Sequence, residues 1–251
     1  MKHPSLFCHL PVVLLLALLP ALAHAGQANI AVASNFIAPM NALAAQFEQA
    51  TGHTLTLSSG ATGKFYAQIK HGAPFDVLLA ADDETPARLQ REGEAVESQT
   101  YAIGRLALWS ARPGFIDDSD AVLRQNRFQH LAIANPKLAP YGAAAVEVLN
   151  HLKLTDRMQS KWVTGENIAQ TYQFVASGNA ELGFVALSQV IQNGKLTSGS
   201  VWRVPATLHA PIRQDAALLK RGENNAAARA LFDYLKTPAT ATLIRSYGYE
   251  R

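Results

Sequence analysis

Short apolar runs and longer periodic segments alternate along the chain. Residues 29–33 are predicted to form a short buried strand, because an uninterrupted apolar run extends from Ile30 to Ala33. Residues 39–50 place Met40, Leu43 and Phe47 three or four positions apart, a spacing that predicts an amphipathic helix. Strands that alternate with helices indicate crossover connections and a mostly parallel sheet. The pattern therefore predicts an α/β fold.

The alternation continues to the C-terminus. Further strands are predicted at residues 54–57, 76–80, 103–109, 130–134, 162–163, 182–185, 201–204 and 216–219. Further helices are predicted at residues 64–70, 85–92, 142–152, 169–176, 226–236 and 239–247. The length fits two α/β lobes of about 100 residues each.

The first 25 residues have the features of a secretory signal peptide. Lys2 supplies a positive start, residues 10–22 are apolar, and Ala23-His24-Ala25 forms a small-x-small cleavage pattern. An N-terminal membrane anchor is the alternative, but the apolar run is short for a bilayer of about 30 Å. We therefore expect residues 1–25 to be removed and the protein to be exported to the periplasm.

Composition excludes several classes of function. The single cysteine, Cys8, lies in the predicted signal peptide, so the exported chain has no thiol nucleophile, disulfide or cysteine metal site. The formal net charge is only +3 and no basic cluster occurs, which argues against nucleic acid as a partner.

Four predicted strand-to-helix junctions are rich in small and polar residues. Because ligands of open α/β sheets bind beyond the carboxyl ends of the strands, these junctions are candidate binding loops. Helix N-termini carry partial positive charge and unpaired N–H groups, which suit an anion. Each junction alone could equally be an ordinary helix cap. Together they predict a site for an anion or a polar small molecule, at residues 33–36, 58–63, 135–142 and 165–168.

These junctions carry motifs with a characteristic order and spacing. In them the chain resembles the molybdate-binding proteins of bacterial molybdate ABC importers, from about Ala28 to the C-terminus. The matching stretches are Ala33-Ser34-Asn35-Phe36, Gly60-Ala61-Thr62-Gly63, Gln68-Ile69, Gly72-Ala73-Pro74, Ala80-Ala81-Asp82, Ala139-Pro140-Tyr141-Gly142, Leu182-Gly183-Phe184-Val185 and Tyr234-Leu235-Lys236-Thr237-Pro238.

The resemblance implies a type II periplasmic binding fold, with two α/β lobes, a mixed, mostly parallel sheet in each and a hinge between them. Lobe 1 would comprise residues 26–106 and 205–251, and lobe 2 residues 107–204. It implies a monomer without a cofactor that captures molybdate, and tungstate as well, and passes it to the membrane permease of an ABC importer. It implies no catalytic activity.

The resemblance also assigns an oxyanion site without a metal ligated by side chains. Ser34 and Asn35 belong to its first loop, and Thr62 stands where the family usually has a serine hydroxyl. Tyr141 matches the members whose third loop supplies a tyrosine hydroxyl. Ile168 would contribute its backbone N–H.

The chain departs from the family pattern at Ala186, where some members place a tyrosine, and in the Ser34-Asn35 pair, where others have Ala-Ser. Three charged residues lie near the loops. We expect Lys64 and Lys137 to be solvated, and Glu166 to point to solvent or to cap the helix that follows it.

Three other functions remain open at this point. A binding protein for sulfate or another tetrahedral oxyanion would use the same donors. An exported hydrolase would need a base beside a serine nucleophile, but no Gly-x-Ser-x-Gly or His-Glu-x-x-His motif occurs and no histidine lies in the candidate loops. A protein that only binds other proteins would show no stabilisation by an oxyanion.

Overall fold

The structure, a computed structural model, describes residues 25–251. All but the last residue of the predicted signal peptide lies outside this range. The strands are β1 Gln27–Ala33, β2 Thr54–Gly60, β3 Val77–Leu79, β4 Ala95–Gly104, β5 Leu106–Ser110, β6 Leu131–Ala134, β7 Trp162–Gly165, β8 Leu182–Ala186, β9 Ile191–Gln192, β10 Lys195–Leu196, β11 Ser200–Arg203 and β12 Ile212–Leu219. The helices are α1 Ile37–Thr51, α2 Thr62–Lys70, α3 Glu84–Arg91, α4 Ala121–Gln125, α5 Pro140–His151, α6 Thr155–Gln159, α7 Ile168–Ala176, α8 Ala226–Tyr234 and α9 Pro238–Ser246.

Two five-stranded sheets organise the described chain. The first sheet has the order β2-β1-β3-β12-β4 and the second the order β11-β5-β8-β6-β7, while β9 and β10 form a separate hairpin. In the first sheet only β12 runs against the other four strands, and in the second only β5 does. The predicted α/β fold with mixed, mostly parallel sheets is therefore confirmed.

Helices cover both faces of each sheet. On the first sheet, α1, α8 and α9 bury one face and α2 and α3 bury the other. On the second, α4, α5 and α6 pack on one face and α7 on the other. Strand β1 is buried on both sides, with Ile30 and Val32 facing α1 and Ala31 facing α2, as the alternation of side chains in a strand requires. The continuous apolar run from Ile30 to Ala33 is explained by this double burial.

The predicted strand at residues 103–109 is wrong as one element. It is two strands, because β4 pairs with β12 in the first sheet and β5 pairs with β8 and β11 in the second. The chain changes sheets at Arg105, and it returns to the first sheet between Arg203 and Ile212. Apolar residues lie on both sides of Arg105, so the hydrophobic pattern alone cannot show that one strand ends and another begins there.

Several element bounds also differ from the prediction. Strand β4 begins at Ala95, well before the predicted position, because its exposed face carries polar residues. The short helices α4 and α6 were not predicted, since five residues show too little periodicity. Thr62 lies in the first turn of α2 rather than in a loop.

A buried carboxylate links three strands of the first sheet at the edge opposite the strand-to-helix loops. Asp76 accepts hydrogen bonds from the backbone N–H of Asn29 (2.7 Å) and from Arg221 Nη1 (2.7 Å), and its side chain is 3% exposed. Its own backbone N–H and carbonyl bond to Asn29 and Leu219.

Replacing this carboxylate should destabilise the fold. We expect Asp76→Ala to lower the free energy of unfolding by about 2–3 kcal/mol, because the Asn29 N–H loses its acceptor in a buried place. Urea denaturation measures the change. Asp233→Ala is the control, because that side chain is 75% exposed, and it should change the free energy by less than about 0.5 kcal/mol. Equal effects at the two positions would contradict this role for Asp76.

Candidate functional site

Four helix N-termini meet between the two sheets. A single 3₁₀ turn, Ser34–Phe36, leads from β1 into α1, and α2 follows β2. In the second sheet, α5 follows β6 and α7 follows β7. These four strands are parallel within their sheets, so each helix begins at the carboxyl edge of its sheet. The first turns of all four helices lack acidic residues, which leaves their partial positive charge uncompensated.

The four N-termini enclose one small cavity. All five residues predicted for the oxyanion site line it. Its lining residues are Ala33, Ser34, Asn35, Gly60, Ala61, Thr62, Ala81, Ala139, Pro140, Tyr141, Asn167 and Ile168. None of these described lining residues is an aspartate, glutamate, histidine, lysine or arginine, so the cavity offers an anion only groups that are neutral at physiological pH.

Thr62 is held as a hydrogen-bond donor toward the cavity. It is 1% exposed, and its Oγ1 accepts a hydrogen bond from the backbone N–H of Ala81 (2.9 Å). A hydroxyl has one proton to donate. Because the Ala81 N–H already occupies an acceptor position, the Thr62 proton is available to a ligand in the cavity.

Tyr141 reaches the cavity from α5 and is 1% exposed. Its hydroxyl oxygen accepts a hydrogen bond from Gln214 Nε2 (3.0 Å), which belongs to β12 of the first sheet. This bond therefore joins the two sheets at the cavity. Gly104 makes the approach possible, because a Cβ at that position would lie 2.2 Å from the Tyr141 hydroxyl.

Asn35 has a different role from a simple side-chain donor. Its Nδ2 donates to Gln214 Oε1 (2.9 Å) and to the Tyr249 hydroxyl (3.0 Å), which uses both amide protons. The backbone carbonyl of Asn35 accepts from the hydroxyls of Ser188 (2.9 Å) and Tyr249 (2.8 Å). The group that Asn35 can offer a ligand is therefore its backbone N–H.

The N-terminus of α7 presents backbone donors. Asn167 caps this helix, since its Oδ1 accepts from the N–H groups of Ala169 (3.0 Å) and Gln170 (3.0 Å). The N–H of Ile168 precedes these two and has no intrahelical acceptor. Ile168 is 3% exposed and lines the cavity, so its N–H is one of the donors at this edge.

The nearby charged residues lie outside the cavity lining. Glu166 is 64% exposed and pairs with Lys64 of α2 at 2.7 Å, so it points to solvent and Asn167 is the cap. This ion pair and the hydrogen bond from the Gly63 N–H to the Leu138 carbonyl (3.0 Å) both connect the two sheets beside the cavity. Lys137 is exposed.

Residues 28–250 match the family described as bacterial extracellular solute-binding protein. The chain belongs to this family. It is 58% identical to Molybdate-binding protein ModA of Azotobacter vinelandii over 242 residues, which are 96% of each chain. It is 51% identical over 229 residues to Molybdate-binding protein ModA of Rhodobacter capsulatus, covering 90% of this chain and 89% of the relative.

A solved structure shows the same fold. The periplasmic molybdate-binding protein of Azotobacter vinelandii aligns with a TM-score of 0.87 and 41% identity, over 89% of this chain and 99% of that one. The two-lobed periplasmic binding fold and the family resemblance predicted from the motifs are both confirmed. Members of this family bind solutes and are not enzymes, so the hydrolase alternative is rejected.

Two other kinds of feature are absent from the described residues: a metal-binding cluster and a membrane-spanning helix. Within residues 25–251 no group of three or more histidine, cysteine, aspartate or glutamate side chains could hold a metal ion. Over the same range no helix has both the length and the apolar character needed to cross a membrane.

Sequence reasoning missed the polar residues that support the cavity from behind. Gln214, Tyr101, Ser188 and Tyr249 are all buried, but none lies in a strand-to-helix loop. One indication of Gln214 was present in the sequence, where it is a polar residue shortly before the apolar run of β12. Gly104 gave no signal beyond its place in a predicted strand.

Burial keeps the three tyrosines of this region protonated. Desolvation raises the pKa of Tyr101 and of Tyr141 well above its usual value near 10, and it also raises the pKa of Tyr249. The neighbouring tyrosines add to the effect at Tyr101 and Tyr141. Each phenol is therefore a neutral hydrogen-bond donor across the physiological pH range.

Alkaline pH should unfold this protein through these tyrosines. Their pKa is higher in the folded state, so their contribution to stability is complete below pH 10 and is lost as pH rises above it. Above pH 10, we expect each of the three tyrosines to lower the free energy of unfolding by about 1.4 kcal/mol per pH unit. Urea denaturation from pH 9 to 11.5 measures this slope. The slope should be shallower in Tyr101→Phe, and an unchanged slope would contradict the assignment.

Proposed function

We propose that this protein is the periplasmic solute-binding component of an ABC importer and that it captures molybdate between its two lobes. The observation that carries the proposal is the cavity where four helix N-termini from two sheets meet without a charged side chain. Two relatives that are 58% and 51% identical are named as molybdate-binding proteins, which supports molybdate over other oxyanions.

The chemistry of the cavity suits a fully deprotonated tetrahedral anion. Molybdate at neutral pH is a dianion whose four oxygens all accept hydrogen bonds and carry no proton. Hydrogen phosphate carries a proton that needs an acceptor, and a carboxylate would be the natural one. The cavity lining has no carboxylate, and one acceptor position of the Thr62 hydroxyl and one of the Tyr141 hydroxyl are already occupied by protein donors.

We assign the donors by their position at the cavity. Ser34, Thr62 and Tyr141 would donate from their hydroxyls, and Asn35 and Ile168 from their backbone N–H groups. A hydrogen bond to a charged group contributes about 1.5–3 kcal/mol. Five of them, after the cost of ordering the lobes, would support a complex of about −8 kcal/mol or tighter, which corresponds to a sub-micromolar Kd.

Size would separate the oxyanions of equal charge. Sulfate is a smaller tetrahedral dianion, so donors fixed by helix termini on two lobes would lie too far from its oxygens. Tungstate matches molybdate in charge and shape, and we expect it to bind as well. The selectivity then comes from the rigidity of the donor positions rather than from charge.

The two sheets define the lobes that would move. We propose that lobe 1 comprises residues 26–106 and 205–251 and lobe 2 residues 107–204, because the chain passes between sheets near Arg105 and again between Arg203 and Ile212. The contacts between Lys64 and Glu166 and between Gly63 and Leu138 join these lobes beside the cavity. Closure of the hinge would form them and complete the site.

Delivery requires export and a membrane partner. The predicted signal peptide at residues 1–25 would direct the chain to the periplasm. There the closed form, as a monomer that needs no cofactor, would present both lobes to the permease of the importer. The solved relative from Azotobacter vinelandii is named a periplasmic molybdate-binding protein, which supports this location.

Removing single hydroxyls should weaken molybdate binding without unfolding the protein. We expect Thr62→Ala and Tyr141→Phe each to raise the Kd for molybdate about tenfold or more, because each loses a hydrogen bond to a charged ligand. Isothermal titration calorimetry with molybdate, tungstate, sulfate and phosphate gives the affinities and the selectivity.

Thr242→Ala and Tyr172→Phe are matched controls that lie outside the cavity lining. Both should bind molybdate like the unsubstituted protein. Unchanged affinity in Thr62→Ala and Tyr141→Phe together would refute the donor assignment. Tighter binding of sulfate than of molybdate would refute the proposed ligand.

A further inference from the structure

Gln214 connects the donors of both lobes although it does not line the cavity. It is fully buried in β12. Its Nε2 donates to the Tyr141 hydroxyl (3.0 Å), and its Oε1 accepts from Asn35 Nδ2 (2.9 Å) and lies 2.9 Å from the Tyr101 hydroxyl. Tyr141 and Asn35 are residues of the proposed site that come from different lobes.

Two side-chain amide nitrogens, Asn35 Nδ2 and Gln214 Nε2, set the direction of these hydrogen bonds because they can only donate. The Asn35 carbonyl can only accept, and the Tyr249 hydroxyl lies 2.8 Å from it. Once Tyr249 has donated its proton there, its oxygen accepts from Asn35 Nδ2. The other Asn35 amide proton goes to Gln214 Oε1, and Gln214 Nε2 then donates to Tyr141. The two links that pass through Gln214 therefore both donate toward Tyr141.

Tyr141 is the last member of the chain, and its own proton can go either to the neighbouring Tyr249 hydroxyl or to a ligand in the cavity. Because Gln214 occupies an acceptor position of the phenol oxygen, the Tyr141 O–H must point to another acceptor. The cavity that Tyr141 lines is where an oxyanion would provide one. Room for this arrangement depends on Gly104, since a Cβ there would lie 2.5 Å from Gln214 Nε2.

We propose that Gln214 is a positioning residue that fixes the Tyr141 hydroxyl as a donor to the bound oxyanion. The inference rests on the proposed function. It also makes this donor depend on lobe closure, because Gln214 belongs to the first sheet and Tyr141 to a helix on the second. In an open form without the Gln214 contact, the Tyr141 proton would be free to rotate away from the cavity.

A double-mutant cycle tests whether Gln214 acts through Tyr141. Molybdate affinity is measured by calorimetry for the unsubstituted protein, Gln214→Met, Tyr141→Phe and the double variant. Methionine keeps the length of the side chain and removes its hydrogen bonds. We expect Gln214→Met to raise the Kd about tenfold when Tyr141 is present and less than about twofold when Phe replaces it. Thermal unfolding without molybdate reports separately on stability.

Gln99→Met is the matched control, because Gln99 lies on the neighbouring strand β4 and donates to the Phe232 carbonyl away from the cavity. It should leave the molybdate affinity unchanged. If Gln214→Met does not fold, the cycle is repeated with Gln214→Asn, whose amide ends one methylene short of Tyr141.

The outcomes separate the inference from the proposed function. Equal loss of affinity in the two Tyr141 backgrounds, or no loss in either, overturns the positioning role of Gln214 while molybdate binding stands. Absence of molybdate binding to the unsubstituted protein overturns the proposed function, and the inference with it.

Discussion

An anion that leaves water for a protein cavity must find hydrogen-bond donors to replace its hydration. In the proposed site the donors would be neutral groups at the N-termini of helices, where the peptide dipoles place partial positive charge. The constraint is consistent with the described lining of the cavity, which contains no side chain that is charged at physiological pH. It also explains why the hydroxyls of Thr62 and Tyr141 already accept hydrogen bonds from protein groups, since this leaves their protons for the ligand.

The fold supplies those donors because of its topology. Parallel strands place the starts of their following helices at one edge of each sheet, and the two sheets turn these edges toward each other. Because the chain leaves the first sheet at Arg105 and enters the second, each sheet can form the core of its own lobe. Asn35, which lines the cavity, and Gln214, which lies behind it, then connect the two edges through buried hydrogen bonds. The same arrangement would make ligand binding and lobe closure a single event.

Most of the fold could be predicted from local pattern, and the loops of the site from their composition. The apolar run from Ile30 to Ala33 is short enough to favour a strand, and the spacing of Met40, Leu43 and Phe47 predicts a helix. The break at Arg105 could not be predicted, because it depends on which distant strands pair. Gln214 could not be predicted as part of the polar network, because its partners Asn35 and Tyr141 are 179 and 73 positions away in the chain.

The central claim is that the oxyanion is bound only by neutral donors that keep their protons. Calorimetric titration with molybdate at pH 8, in two buffers with different enthalpies of ionisation, counts the protons exchanged on binding. The account predicts that the number is zero, since the phenols stay protonated and the described cavity lining contains no aspartate, glutamate, histidine, lysine or arginine. Uptake or release of half a proton or more would show that a titrating group participates, and would contradict it.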